Sequence, residues 1–207
     1  KSVSRAVESS LVVGDMPFLS YQISPSDALK NAGLFLKEGG ASAIKLEGGT
    51  EVVPQIKKII SAGIPVMGHV GLTPQSVNLF SGHKTQGKSL QSAQKILDDA
   101  RAVQNAGAFA VVLECIPSEL SEKITSELKI PTIGIGAGPH CDGQIQVFHD
   151  ILGLSNTFNP KHAKKYVNLY KNISGALKSY MKDVSKKTFP TKKNYSSIKP
   201  DIISKLK

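Results

Sequence analysis

Tryptophan is absent from the 207 residues, aromatic side chains make up only 6%, and cysteine occurs twice, at Cys115 and Cys141. Two cysteines give neither a metal-ligand spacing nor a disulfide framework, which excludes zinc modules and disulfide-stapled secreted domains. No run approaches the ~18 apolar residues of a membrane helix, and the start has no signal-peptide pattern. A reducing, cytoplasmic setting is expected, with no membrane partner. The glycine-dense stretch "GIGAGPHCDGQ" lacks the G-x-G-x-x-G spacing, no acidic residue follows it on a second strand, and no Walker lysine is present. Dinucleotide and P-loop binding are thereby set aside.

Acidic residues are scarce at one end only. From Lys161 onward 13 lysines face just Asp183 and Asp201, while residues 1 to 160 hold 13 basic and 14 acidic groups. The net charge of +10 therefore belongs to the C-terminal segment. A lysine-rich stretch can touch nucleic acid or another anionic surface. A solvated helix with a trailing linker accounts for it more simply, and no nucleic-acid partner is expected.

What is present is a beat. Five short apolar runs, "LVVGDMP", "SAIKLEGG", "IPVMGHVGLTP", "FAVVLECIP" and "IPTIGIGAG", each end in Gly or Pro beside polar groups. Four helical stretches lie between them. "SPSDALKNAGLFLKEGGA" opens with Ser24, Pro25 and Asp27, a capped start. "TEVVPQIKKIISAGI" and "LQSAQKILDDARAVQNAGA" stop on Ala-Gly, and "PSELSEKITSELKI" starts with proline and acids suited to the helix dipole. Strand and helix in alternation predict a parallel α/β sheet. It closes either as an open doubly wound sheet or as a (β/α)8 barrel. A barrel gathers functional side chains at the C-terminal ends of several strands, and Asp15, Lys45, Glu47, His69 and Glu114 all stand there. The barrel is the expected fold, with "GQIQVFHDIL" as a further strand or a helix. The opening "KSVSRAVESS" has no initiator Met and reads as the back end of a helix.

Strand alternation places Lys45 and Glu47 on one face and Ile44 and Leu46 on the other. Lys45 and Glu47 are thus expected at the barrel mouth, with the two aliphatic residues packed against the helices. Asp15 and Glu47 are oxygen donors of the kind that suit Mg2+, leaving room for water and substrate. Alternatively, Asp15 caps the turn before Pro17 and Glu47 only pairs with Lys45. Lys45 suits a substrate carboxylate or a developing oxyanion, or else a Schiff base. His69, flanked by glycines, is either a substrate contact or a satisfied structural residue. Glu114 follows three apolar residues, and partial desolvation makes its carboxylate a better proton acceptor. Cys115 should point toward the helices as a packing residue. Together these groups suit enolate formation from a 2-oxo acid and attack on an electrophilic carbon.

The segments "GDMPF", "KLEGG", "GHVGLTPQSVN", "LECIP" and "IGIGAGPHCDGQIQVFHD", in that order, resemble the ketopantoate hydroxymethyltransferase family from about residue 1 to Pro190. The resemblance implies a (β/α)8 TIM barrel of the phosphoenolpyruvate/pyruvate superfamily type. It implies a cytoplasmic homo-oligomer, typically a decamer, of the pantothenate pathway. The reaction it implies moves a hydroxymethyl group from the folate co-substrate 5,10-methylenetetrahydrofolate to 3-methyl-2-oxobutanoate, giving 2-dehydropantoate. By the same resemblance Asp15 and Glu47 bind Mg2+, Asp15 and Lys45 contact the oxo acid, Glu114 is the proton acceptor, and His69 lies near the substrate.

Family members also carry an upstream segment with a "VGDS" motif, whose Asp binds the metal and whose Ser contacts the oxo acid. A partial barrel over residues 1–190, lacking about the first two strands, and a basic tail over 191–207 are therefore expected. His83, in "SGHKTQG", stands where the family commonly has an aromatic residue. Two other readings compete: a carbon–carbon lyase of the same superfamily, which would use a strand-end cysteine, and an inactive fragment whose basic tail binds nucleic acid.

Overall fold

A computed structural model of the chain describes residues 1–76, 84–157 and 160–206; His83 lies outside them. The chain divides into two compact units, Lys1–Gln146 and Val147–Lys207. This division follows packing. The boundary expected at 190/191 followed the family resemblance and marks a different thing.

In the first unit the order is α1 (Ser2–Ala6), β1 (Val13–Asp15), α2 (Pro25–Lys37), β2 (Ala43–Lys45), α3 (Val53–Ile60) and β3 (Val66–Gly71). It continues with α4 (Leu90–Asn105), β4 (Ala110–Glu114), α5 (Ser118–Glu127), β5 (Thr132–Ile135) and β6 (Gly143–Gln144). The five apolar runs each supply a strand. The ambiguous "GQIQVFHDIL" supplies both alternatives: Gly143–Gln144 pairs as β6, while Phe148–Ile151 is a helix of the second unit.

The helix signals act as local chemistry requires. Ser24 Oγ accepts the Asp27 amide at 3.1 Å, with Pro25 in the first turn of α2. Ser89 and Ser92 form a reciprocal capping box at the start of α4. Such caps satisfy amides that have no partner within the helix.

All six strands are parallel and stand in chain order. A doubly wound sheet reverses its order at a switch point, and no reversal occurs here. Every crossover advances the sheet in the same direction, which is the barrel-type arrangement. The register then fixes the faces. Gly14 pairs with Ile44, Ile44 with Val66, Gly68 with Val111, and Val70 with Leu113. Ile44, Leu46, Val66, Val70, Val111 and Leu113 are buried with Ile56, Ile59, Ala100, Val103 and Ile124 of the helices. Burying each aliphatic side chain contributes ~1.5–3 kcal/mol. Gly68 sits where α4 crosses closest, since a Cβ there would collide with Val103.

The second unit holds α6 (Phe148–Ile151), α7 (Leu169–Ser185) and α8 (Pro200–Ile203). Asn168 caps α7 by accepting the Lys171 amide at 3.1 Å. The lysine-rich segment is amphipathic: Tyr170, Ile173, Leu177, Tyr180, Met181 and Val184 recur along α7 at helical spacing and are exposed. Among the described residues no helix is long and apolar enough to cross a membrane.

Gly71 ends β3 with φ +96°, and a Cβ there would press into the Glu114 carbonyl. Gly71→Ala should lower the unfolding free energy by more than ~1 kcal/mol, read as a lower urea midpoint at unchanged slope. An unchanged midpoint would show that this turn tolerates a side chain.

Candidate active site

The same register that packs one face of the sheet assembles a polar rim on the other. Asp15 pairs directly with Lys45, and Lys45 with Met67. Two residues further along lie Glu47 and His69; His69 pairs with Val112, two residues short of Glu114. Asp15, Lys45, Glu47, His69 and Glu114 therefore belong to one alternating set and share a face.

The side chains meet as that argument requires. Lys45 Nζ lies 2.9 Å from Asp15 Oδ1, 3.7 Å from Glu47 Oε1 and 3.1 Å from His69 Nδ1. His69 Nε2 lies 3.1 Å from Glu114 Oε2, close but without the alignment of a formed hydrogen bond. An ammonium group can only donate, so Nδ1 accepts and the ring hydrogen resides on Nε2, facing Glu114. The five groups form a continuous string from Asp15 through Lys45 and His69 to Glu114, with Glu47 beside Lys45. Asp15 is its wet member, with 60% of the side chain exposed against 15% for Lys45 and Glu114 and 5% for Glu47.

Two carboxylates thus face one cationic centre. Among the described residues no group of three or more His, Cys, Asp or Glu side chains gathers as a metal site. Any divalent ion held here would take two protein carboxylates and complete its shell with water or substrate, a donor set that fits Mg2+.

Two further residues join the site without having been singled out from the sequence. Tyr21 is fully buried; its hydroxyl accepts the Glu47 amide at 3.1 Å and donates to Gln75 Oε1 at 3.1 Å. Burial raises the Tyr21 phenol well above its ordinary range, so it keeps the proton it donates. The Gln75 amide donates to Glu47 Oε2 at 3.0 Å, and its side-chain nitrogen to the Met16 carbonyl at 2.8 Å. Gln75 lies inside the motif "GHVGLTPQSVN", just after Pro74, and the turn signal there could have drawn attention to it. Nothing local distinguishes Tyr21.

The turn after Glu47 is pinned from behind. Gly48 bridges to His69, its amide donating to the His69 carbonyl at 3.0 Å. Asp99 of α4 accepts from the Thr50 amide and hydroxyl at 3.0 and 2.7 Å and pairs with Lys95 at 2.6 Å. A cleft of about 310 Å³ opens there, lined in part by Gly48, Gly71, Gln86, Lys95 and Asp99.

Cys115 corrects the parity argument. Its φ of +48° takes it out of strand geometry, so alternation does not fix its direction, and it lies outside the apolar core cluster. Burial, with the Glu114 charge adding, pushes its thiol up to about 11. The thiol is protonated at neutral pH, which argues against a nucleophile for a reason other than direction.

A parallel sheet wound in one direction, with acid, ammonium and imidazole gathered at the strand ends, defines the class: a barrel-type α/β enzyme. Solved structures agree on the fold. Phosphonopyruvate hydrolase shares it at TM-score 0.50 and 15% identity, covering 98% of this chain and 70% of that one. A protein of Burkholderia cenocepacia J2315 described as a phosphonomutase does so at TM-score 0.52 and 16% identity, over 86% and 73%. The family follows from sequence. The family model for ketopantoate hydroxymethyltransferase matches residues 1–192, and the chain belongs to that family. It is 53% identical over 206 residues to a protein of Carboxydothermus hydrogenoformans named 3-methyl-2-oxobutanoate hydroxymethyltransferase, covering 100% of this chain and 75% of the relative. A protein of the same name from Dehalococcoides mccartyi (strain ATCC BAA-2266) is 53% identical over 207 residues, covering 100% and 73%.

Alkylation tests the Cys115 assignment. Its reaction with iodoacetamide should be slow at pH 7 and rise with pH toward about 11, followed by mass spectrometry of the modified peptide. Full labelling at pH 7 with an inflection near neutrality would overturn it.

Proposed function

We propose that this chain catalyses transfer of a hydroxymethyl group from 5,10-methylenetetrahydrofolate to 3-methyl-2-oxobutanoate, giving 2-dehydropantoate for pantothenate synthesis. The string Asp15–Lys45–His69–Glu114 on one face of the sheet carries this reading. It provides a fixed cation for an anionic substrate and a carboxylate base within one small ligand's reach of it. The names borne by relatives half-identical over the whole chain support the same reaction.

Lys45 holds the oxo acid and favours negative charge as it develops on the C2 oxygen. Glu114 takes the proton from C3, the carbon–hydrogen bond breaks, and its electron pair delocalises toward that oxygen. C3 then bonds to the one-carbon unit as the two carbon–nitrogen bonds of the folate's methylene bridge break. Water supplies the hydroxyl, the two folate nitrogens take up the proton from C3 and one from water, and tetrahydrofolate leaves. His69 offers its Nδ1 lone pair to Lys45, and its Nε2 lies beside Glu114, so one imidazole stands between the cation and the base. Asp15 and Glu47 would hold Mg2+, which when bound supplies Lewis-acid polarisation of the oxo group. The reading extends, by family likeness, to a cytoplasmic homo-oligomer of decameric type. A strand-end thiol held protonated does not serve the lyase alternative.

Deuterium exchange at C3 of 3-methyl-2-oxobutanoate tests this without the folate. The assay uses the chain supplied with the additional segment its longer relatives carry. Exchange should require Mg2+, and Glu114→Gln should slow it by ~10²–10⁴-fold while the oxo acid still binds by calorimetry. Unaltered exchange in that variant would remove Glu114 as the base.

A further inference from the structure

Asp15 and Glu47 lie at the ends of two strands, beyond or at the limit of the ladder that spaces those strands. Asp15 is the last residue of β1, and Glu47 lies two past the end of β2. Backbone pairing holds their starting points together: the Met16 amide donates to the Lys45 carbonyl at 2.9 Å and the Leu46 amide to the Met67 carbonyl at 3.3 Å. The next backbone bond, from the Gly48 amide to the His69 carbonyl, ties the residue after Glu47 to β3 rather than to β1, so it does not set how far Glu47 stands from Asp15. Lys45 does not set it alone, since its Nζ, at the end of a flexible stem, sits 2.9 Å from one and 3.7 Å from the other.

Gln75 spans the gap. Its side-chain nitrogen donates to the carbonyl of Met16, the residue after Asp15, and its backbone amide donates to the Glu47 carboxylate itself. Tyr21 closes the loop, because its hydroxyl accepts the Glu47 amide and donates to Gln75 Oε1. Gln22 Nε2 adds a second contact to the same oxygen at 3.3 Å. The Gln75 amide group and the Tyr21 hydroxyl thus have both their donor and their acceptor roles taken up within this ring.

From this juxtaposition we propose that Gln75, seconded by Tyr21, is a positioning residue that sets the separation of Asp15 and Glu47, and so the affinity of the site for a divalent cation. The inference rests on the proposed function for its metal and on hydrogen-bond geometry for its clamp. The clamp acts through the orientation of carboxylates and touches neither substrate nor metal. Partners of this kind, behind the ligating atoms, typically change metal affinity by ~10–100-fold when lost.

Gln75→Leu removes the bond to Met16 and the acceptor for Tyr21, while the backbone amide remains. Tyr21→Phe removes one oxygen and keeps the packed ring, so it serves if the first variant folds poorly. Two measurements are made on the full chain. Hydrogen–deuterium exchange should accelerate in peptides covering 13–22 and 42–49 in both variants, with peptides from α4 unchanged. Mn2+ binding, followed by electron paramagnetic resonance with Mg2+ in competition, should weaken by ~10–100-fold in Gln75→Leu. The double variant should resemble Gln75→Leu alone, because residues of one network are not additive. Unchanged exchange in both peptides overturns the clamp whatever the metal does. Equal Mn2+ affinity in parent and variants overturns its link to cation affinity. A parent chain that takes no Mn2+ sinks the metal reading, and the exchange result then judges the clamp alone.

Discussion

Glu47 has only a twentieth of its side chain exposed, so its carboxylate oxygens must find their partners within the protein, and the end of β2 is arranged around that demand. Water scarcely reaches it, so the protein takes that part: the Gln75 amide on one oxygen and Lys45 near the other. Two charges 4 Å apart attract by ~1 kcal/mol in water but by ~4 kcal/mol at the effective dielectric near a protein surface. The two pairs of Lys45 therefore differ in kind: Asp15 is nearer and wetter, Glu47 farther and drier, and the drier setting offsets part of the difference in distance. Exposed ion pairs are worth at most ~1 kcal/mol, so Asp15 is the member whose charge is most available to a ligand.

That compensation has consequences along the string. Because Lys45 spends its hydrogens on acceptors, the His69 ring must offer it a lone pair, and the remaining ring hydrogen is directed at Glu114. The buried acid just past β2 thus stands two side chains, Lys45 and His69, away from the acid that ends β4. The bridge from Gly48 to the His69 backbone ties the two strands at the same level. The imidazole is consequently held from both its main chain and its ring.

The parts of this arrangement that were legible in the sequence are those governed by period two. Lys45 and Glu47 flank Leu46, and alternation assigns them a shared face; register across β1 to β4 then adds Asp15, His69 and Glu114. Sequence cannot supply register, but a parallel sheet wound in chain order leaves neighbouring strand ends together. The rule failed where backbone left strand geometry, as at Cys115 with its positive φ. It was silent about Tyr21 and Gln75, because both come from connections between elements, and a loop side chain has no periodicity to read. The short β6 and the helix after it shared one ambiguous stretch, since two paired residues are too few to show any period.

Frame and rim carry different constraints, one set by the fold and the other by the chemistry. Proteins at 15 and 16% identity keep this fold, because its frame needs only aliphatic residues of suitable volume on the helix side of each strand, and such positions tolerate exchange. The rim tolerates far less. Replacing any one of Glu47, Lys45 or His69 leaves a neighbour buried with an unmet charge or an unmatched hydrogen bond, a cost that grows as water is excluded. The groups at the strand ends are therefore constrained as a set, and a change of chemistry on this frame requires changing several of them together.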